Sequence, residues 1–371
     1  MKPTILIIEN SKDVTGAFNS VLRSSIFLKE KYSFVFVVPR KSAVKRLLDQ
    51  HGFLSLNLRM VEIRKNLIDI IFYIPALCWN TFRFSKIIKQ YHIDLIHSND
   101  FYNLIPACYR FFGGKINYIC YVRFLPDRFP VALRSILYFA HLRLANTIVS
   151  VSLAVKEQLP KAAKVICIYD GLPFPDTTEY ESPRTKTLLY ISNYIMGKGQ
   201  DYALEGFALI ARKYPEWKLL FFGSDMGLTK NKKFKKKLED TIIRLGLTDC
   251  VNLNDFASST SLLYKNAAIV LNFSDSESFS LTCLEAQFYG RAVIATKCGG
   301  PEEIILNRVT GLLVERKSIE QIAKGLDSLM DDFSTSEKMG KEAYHRVRKK
   351  FNAQETYYQL SKRYTQILDE N

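Results

Sequence analysis

Short apolar runs alternate along the chain with stretches of helical spacing. Thr4–Ile8 (TILII) and 34–38 (FVFVV) are rich in β-branched residues and almost wholly apolar, the pattern of strands covered on both faces. A glycine-containing loop between them leads into a helical stretch over 17–28. Further strands are predicted at 94–97, 116–122, 146–151 and 164–168, with helical patterns in the gaps. Such alternation predicts a parallel sheet with helices on both faces.

Residues 172–186 (LPFPDTTEYESPRTK) interrupt the pattern with three prolines among polar residues, the composition of a linker. The alternation then restarts, with strands at Thr187–Ile191, Lys218–Phe222, 268–273, 292–295 and Gly311–Val314 and helices at 201–212, 234–245 and 280–289. The expected architecture is α/β, two doubly wound Rossmann-like domains in tandem. The first covers 1–171 and the second 187–353. In the final stretch, 354–371, Tyr357, Leu360, Tyr364 and Ile367 form one apolar helical stripe, which either domain can receive.

A chain of 371 residues suits two domains. Its 47% hydrophobic and 24% charged residues exclude a disordered or fibrous protein. Seven cysteines with no C-x-x-C support neither a disulfide framework nor a structural zinc site, so a reducing, cytoplasmic setting is expected. The apolar start meets acid at Glu9, unlike a secretory signal, and the longest apolar run, 67–79, is too short to span a bilayer. Residues 1–180 carry 24 Lys+Arg against 13 Asp+Glu, a net +11, whereas the rest carry 28 against 24, a net +4. A basic first half predicts an anionic partner there: a phosphorylated substrate, an acidic lipid surface or nucleic acid.

Ligands of open parallel sheets bind beyond the carboxyl ends of the strands. The stretch 275–301 (DSESFSLTCLEAQFYGRAVIATKCGGP) stands at such a place. Glu277 precedes a helical pattern that starts at Ser280, and Glu285 lies within it. The amides of Phe279, Ser280, Leu281 and Thr282 are then the open donors of a helix N-terminus, which suits phosphate. Glu285 suits a ribose diol, and Glu277 suits sugar hydroxyls.

The Glu277-x7-Glu285 pair within ESFSLTCLEA resembles the E-x7-E motif of the family 4 retaining glycosyltransferases. Gly290, the strand at 292–295, Gly299-Gly300-Pro301-Glu302 and Gly311–Val314 agree with it. So do Lys198-Gly199-Gln200-Asp201 and 217–223 (WKLLFFG) upstream, and the match runs over about 187–350. The resemblance implies a GT-B fold whose domains face each other across a cleft, with the final helix returning to the first domain. It implies Glu277 on the donor sugar, Glu285 on the ribose, the amides of 279–282 toward the diphosphate, and Lys198 neutralising it. Where the family carries a Gly-Arg pair, this chain has Ser192-Asn193, so Asn193 removes one cation from the donor site. Ser278 and Ser280 stand where the family has glycines, which leaves the loop less permissive in φ. In the first half, Thr15-Gly16-Ala17 matches a loop touching the donor phosphate, and 94–100 (DLIHSND) resembles the family's strand end. The latter makes His97 and Asp100 acceptor-side candidates. Arg123 replaces a histidine common in relatives, and would stabilise the leaving phosphate or orient the acceptor; a structural ion pair is the competing reading. His97 has its own competitor, a hydrogen-bonded core histidine.

No Asp-x-Asp triplet, Walker loop or G-x-G-x-x-G is present. The expectation is therefore catalysis by Glu277, Lys198 and Arg123 with neither metal nor cofactor. A sugar would pass from a nucleotide-sugar to a saccharide or polyprenyl-linked acceptor in bacterial cell-surface polysaccharide assembly. A nucleotide-sugar epimerase on the same fold and a basic nucleic-acid-binding protein are the rival readings. The lysine run at 230–237 (KNKKFKKK) reads as a solvated helix face, so no nucleic-acid partner is expected. The stretch 123–143 mixes arginines with apolar residues, as a surface resting on anionic lipid does, and peripheral contact with the inner membrane face is expected.

Overall fold

The computed structural model describes residues 2–60, 67–173, 179–183, 185–257 and 259–370. Residues 174–178 and 184 of the expected linker lie outside the described residues. The chain divides into two compact units, Met1–Gly171 with Ala353–Asn371, and Leu172–Asn352.

The first unit holds a seven-stranded parallel sheet: β1 (Thr4–Ile8), β2 (Ser33–Pro39), β3 (Leu54–Leu58), β4 (Leu95–Ser98), β5 (Tyr118–Val122), β6 (Thr147–Ser150) and β7 (Val165–Cys167). The strand order is β3-β2-β1-β4-β5-β6-β7. β1 is central, with Leu6 opposite both Val35 and Ile96, and Ile5 to Ile8 have no exposed surface. β3 (LSLNL) had no counterpart among the expected strands. It is an edge strand, half-exposed, so it lacks the continuous apolar run that marks a strand buried on both faces.

The helix Gly16–Leu28 begins at Thr15, whose hydroxyl accepts the Phe18 amide at 3.2 Å. Across it packs the final helix, Ala353–Asp369, which buries Tyr357, Leu360, Tyr364 and Ile367. The Phe27 and Tyr357 rings meet at 4.5 Å, and the Tyr32 hydroxyl donates to the Ser361 carbonyl at 3.1 Å. Each such burial is worth about 1.5–3 kcal/mol, enough to fix the chain's last segment to the first unit.

The second unit holds six parallel strands: β8 (Thr187–Ile191), β9 (Lys218–Phe222), β10 (Val251–Asn254), β11 (Ile269–Asn272), β12 (Ala292–Thr296) and β13 (Gly311–Val314), ordered β10-β9-β8-β11-β12-β13. Its core includes Trp217, Phe207, Phe221 and Leu326. β10 (VNLN) is again an edge strand that the sequence pattern does not announce. The lysine run opens the helix Thr229–Arg244, which buries Phe234 and Leu238 while Lys235 and Lys236 pair outward with Asp255 and Asp240.

Strand order reverses between β1 and β4 in one sheet and between β8 and β11 in the other. At each reversal the loops leave in opposite directions and open a crevice at the carboxyl ends.

Candidate active site

The second unit's crevice is built from the loops after β8 and β11. After β8 the chain turns through Gly197-Lys198-Gly199 into the helix Gln200–Ala208. Gly199 has φ +79°, and a Cβ there would stand 2.1 Å from the Phe273 carbonyl oxygen, so only glycine lets this turn lie on the end of β11. The turn is fixed further by the Tyr190 hydroxyl, which donates to the Lys198 carbonyl and accepts the Phe273 amide. Lys198 Nζ then lies 2.7 Å from Glu277 Oε1.

Glu277 is held by its backbone. Its amide donates to the Cys298 carbonyl at 3.1 Å and its carbonyl accepts the Gly300 amide at 2.8 Å. A Cβ on Gly300 would meet Phe279 Cα at 2.2 Å, so this approach also requires glycine. Ser274 Oγ donates to Glu277 Oε1 at 2.7 Å. The Lys198 and Glu277 side chains are 32% and 17% exposed. Burial alone would lower the Lys198 pKa, but the Glu277 carboxylate outweighs it and the net shift is upward, so the ammonium is retained.

The helix Leu281–Phe288 starts after Ser280, which has φ +74°. Its hydroxyl accepts from the Asn272 side-chain amide at 2.9 Å and the Cys283 amide at 3.4 Å. The amides of Ser280, Leu281 and Thr282 meet no acceptor among the described residues. Phe279 is buried, its ring 5.6 Å from Phe351. One turn into the helix, Glu285 Oε2 accepts from the Tyr264 hydroxyl at 3.1 Å. Asn193 joins two loops: its Oδ1 accepts the Ser224 amide at 3.1 Å and its carbonyl accepts from Gln200 at 2.9 Å. The turn after β13 brings two cations that sequence reasoning missed. Arg316 Nη1 donates to the Asp275 carbonyl at 3.3 Å and Lys317 Nζ lies 4.0 Å from Asp275 Oδ2. The Asp275 amide in turn donates to Gly197, beside Lys198. The second unit thus brings together Lys198, Glu277, Ser280, Leu281, Thr282, Glu285 and Asn193.

In the first unit, Gly16 is the exposed first residue of its helix. Arg123 follows β5 with a side chain only 6% exposed. Its Nε donates to Asn99 Oδ1 at 2.8 Å, its Nη1 pairs with Asp170 Oδ2 at 2.5 Å, and its plane lies over the Tyr121 ring. The Asn99 amide donates to the buried Glu9, and Ser20 Oγ donates to Asp170. The chain Glu9–Asn99–Arg123–Asp170–Ser20 ties the ends of β1, β4 and β5 to the first helix. The geometry gives Arg123 an ion pair with Asp170 inside the unit. His97 likewise proves to be a core residue, with no exposed surface, its Nδ1 against the Tyr364 hydroxyl and its ring stacked on Tyr121 at 4.7 Å. Burial, with the Arg123 charge adding, pulls its imidazole down to about 3, so it stays neutral in ordinary buffers. Asp100 is 5% exposed, with no partner at Oδ2 among the described residues. Burial and then the Glu9 carboxylate push its pKa up to about 7, against the pull of Arg123. Ser274, Tyr264, Asn99 and Glu9 were not among the site residues expected from the sequence, since the part each plays shows only through its partner. Among the described residues, no three His, Cys, Asp or Glu side chains gather to hold a metal ion.

Two all-parallel Rossmann-like units, the second with an open helix start at its switch point, are the build of the GT-B glycosyltransferases. Residues 21–173 match the family model described as Glycosyltransferase Family 4, and residues 178–346 match Glycosyl transferases group 1. With both matched in chain order, the chain belongs to the family 4 glycosyltransferases. It is 30% identical over 148 residues to a glycosyltransferase of Haemophilus influenzae, covering 40% of each chain. It is 27% identical over 182 residues to a capsular polysaccharide biosynthesis glycosyltransferase of Staphylococcus aureus, covering 49% of this chain and 46% of the other. The matches thus span less than half the length of these curated relatives. Among solved structures, HepE of Anabaena in complex with UDP-glucose superposes with a TM-score of 0.82 at 19% identity, covering 98% of this chain and 99% of that one, a likeness of fold.

Two outcomes follow. Ser280 holds a left-handed φ and caps the helix, so Ser280→Ala keeps the strain and loses the cap, and is expected to cost about 1–2 kcal/mol in urea unfolding. Ser280→Gly relieves the strain and is expected to cost less; a glycine variant less stable than the alanine one would contradict this account. For Asp100, the folded carboxyl keeps its proton to about pH 7, whereas the unfolded chain releases it near pH 4. The associated stability is full below about pH 4 and is lost as pH rises through 7. Asp100→Asn cannot ionise, so its stability relative to wild type is expected to improve by about 2 kcal/mol between pH 5 and pH 8. A difference independent of pH refutes the assignment.

Proposed function

We propose that this chain is a retaining glycosyltransferase that moves a sugar from a nucleoside-diphosphate-sugar to a saccharide or lipid-linked acceptor in cell-surface polysaccharide assembly. The observation that carries the reading is the open helix start beside the Lys198–Glu277 pair. A departing diphosphate gathers negative charge, and its barrier falls when fixed donors already face it. The amides of Ser280, Leu281 and Thr282 are such donors, and Lys198 adds a full charge. Without a donor, Glu277 holds that charge in place. When diphosphate takes the ammonium, the Glu277 carboxylate is released to accept sugar hydroxyls. Glu285, oriented by Tyr264, accepts the ribose diol. Arg316 and Lys317 supply the positive charge that Asn193 lacks. In the first unit, Gly16 leaves a helix start open to the donor phosphate, Asp100 stands on the acceptor side, and Arg123 acts as a positioning residue. The fold shared with a UDP-glucose complex and the capsular relative support this choice of donor and pathway.

No step needs a metal, so transfer is expected to survive EDTA. Removing one preorganised donor from such a site costs about 10²–10³ in kcat. A screen of UDP-, GDP- and ADP-sugars is expected to find a donor whose transfer falls about that much in both Lys198→Ala and Glu277→Gln. Wild-type rates in both variants overturn the site.

Peripheral contact with an anionic bilayer has its own support. Among the described residues, no helix is long and apolar enough to cross a membrane. Three neighbouring helices of the first unit, Leu67–Gln90, Ile105–Phe111 and Val131–Leu144, expose Trp79, Phe82, Phe111, Phe112 and Phe139, with Lys86, Lys89 and Arg134 among them. Exposed aromatics set among cations fit an anionic headgroup layer. Flotation is expected with vesicles containing phosphatidylglycerol but not with phosphatidylcholine alone, and to weaken in Trp79→Ser/Phe139→Ser. Equal flotation of that variant removes this surface from the proposal.

A further inference from the structure

At the amino ends of β4 and β5, a groove of about 730 Å³ runs between the helices Leu67–Gln90 and Ile105–Phe111 and the turns that lead into the two strands. The volume lies in the range of small-molecule sites, about 300–1,000 Å³. Its floor is apolar, with Ile88, Ile93 and Tyr109 buried there. Gly113 and Gly114 line one side without side chains. The Tyr109 ring stands where a Cβ on Gly114 would be, whereas a Cβ on Gly113 would meet nothing within 4 Å. At the rim, Phe82 and Phe112 are 54% and 68% exposed. The five residues of β5 span about 16 Å, so the groove is set well apart from the carboxyl ends where the transfer chemistry belongs.

The charges narrow the occupant. Lys89 and Lys115 line the groove, and among the described residues no carboxylate does. Both lysines are exposed, and neither ammonium has an ion-pair or hydrogen-bond partner among the described residues. Arg110 donates to the Lys115 carbonyl at 2.7 Å, which fixes the turn and adds a further positive charge to it. Asp94, next to Ile93 in the chain, is engaged by the Thr4 amide at 2.7 Å. Two helices end at the groove, and each carbonyl end carries at most about half a negative charge, so the two lysines alone leave a surplus of about one positive charge. A free phosphate would leave the apolar floor uncovered, and an uncharged chain would leave the ammonium groups unmatched. A phospholipid with an anionic headgroup meets both demands in one molecule. The exposed Trp79 and Phe111 on the same two helices bring the groove's mouth to a headgroup layer.

We propose that this groove seats one anionic phospholipid of the bilayer, its phosphate between Lys89 and Lys115 and an acyl chain along Ile88, Ile93 and Tyr109. The site deepens the membrane-contact reading and rests on it for access to lipid, but lipid dispersed as single molecules tests the groove with no bilayer present. The full chain is titrated calorimetrically with monomeric dihexanoyl phosphatidylglycerol, with its phosphatidylcholine counterpart and with glycerol 3-phosphate, the headgroup without chains. Phosphatidylglycerol is expected to bind at one molecule per chain, phosphatidylcholine at least tenfold more weakly, and glycerol 3-phosphate not at all. Ser85→Trp fills the groove from its helix wall and is expected to weaken phosphatidylglycerol binding tenfold or more. Lys89→Gln/Lys115→Gln, at two exposed positions, is expected to abolish the preference over phosphatidylcholine, and keeps the proposal testable should the tryptophan disturb packing. No binding of phosphatidylglycerol, equal binding of phosphatidylcholine or glycerol 3-phosphate by wild type, or wild-type behaviour of the lysine variant overturns the proposal. Failure of wild type to float with vesicles while dispersed phosphatidylglycerol still binds sinks the membrane-surface reading and leaves the groove standing.

Discussion

The second unit depends on one constraint: Glu277 must lie against the strand-end segment of Cys298 and Gly300. Two backbone hydrogen bonds hold it there, and they form only because Gly300 has no side chain where Phe279 passes. With Glu277 fixed, Lys198 has a partner, and a flexible four-carbon side chain is confined to one position. The same constraint sets the direction in which the chain enters the helix Leu281–Phe288, and so where its first amides face.

The first unit has the same kind of switch point and treats its polar groups differently. Its cation, Arg123, is matched by Asp170 and buried, while Glu9 and Asp100 crowd two carboxyl groups into one interior. A buried arginine paired this closely costs several kcal/mol to uncover. Arg123 ties the ends of β4 and β5 to Asp170, whereas the cation of the second unit, Lys198, is only partly buried against Glu277. A partly exposed pair such as Lys198–Glu277 costs less to part, because solvent screens it.

How much of this was legible follows from where each residue's partners lie. The central strands read directly because burial on both faces leaves an unbroken apolar run, as in β1. The edge strands β3 and β10 did not, since half-exposure admits serine and asparagine. Glu277 and Glu285 were readable because one strand-to-helix junction carries both. Arg123 was ambiguous because its meaning depends on Asp170, 47 positions away, and sequence alone does not place the two together. His97 is decided by Tyr364, from the last helix, and Glu285's orientation by Tyr264.

Asn193 shows how a departure from the family pattern can be absorbed. Its side chain accepts a backbone amide of the next loop, a role that keeps the crevice wall in place but brings no charge. The electrostatic deficit is then a matter of distance. At an effective dielectric of about 20, a unit charge about 4 Å from a phosphate is worth about 4 kcal/mol, and one about 8 Å away still about 2 kcal/mol. Cations on a neighbouring loop can therefore recover much of what a missing arginine would have given. Arg316 and Lys317 stand around Asp275, whose amide is hydrogen-bonded to Gly197 next to Lys198. Asp275 thus fixes the position of both cations, on the same loop that leads to Glu277.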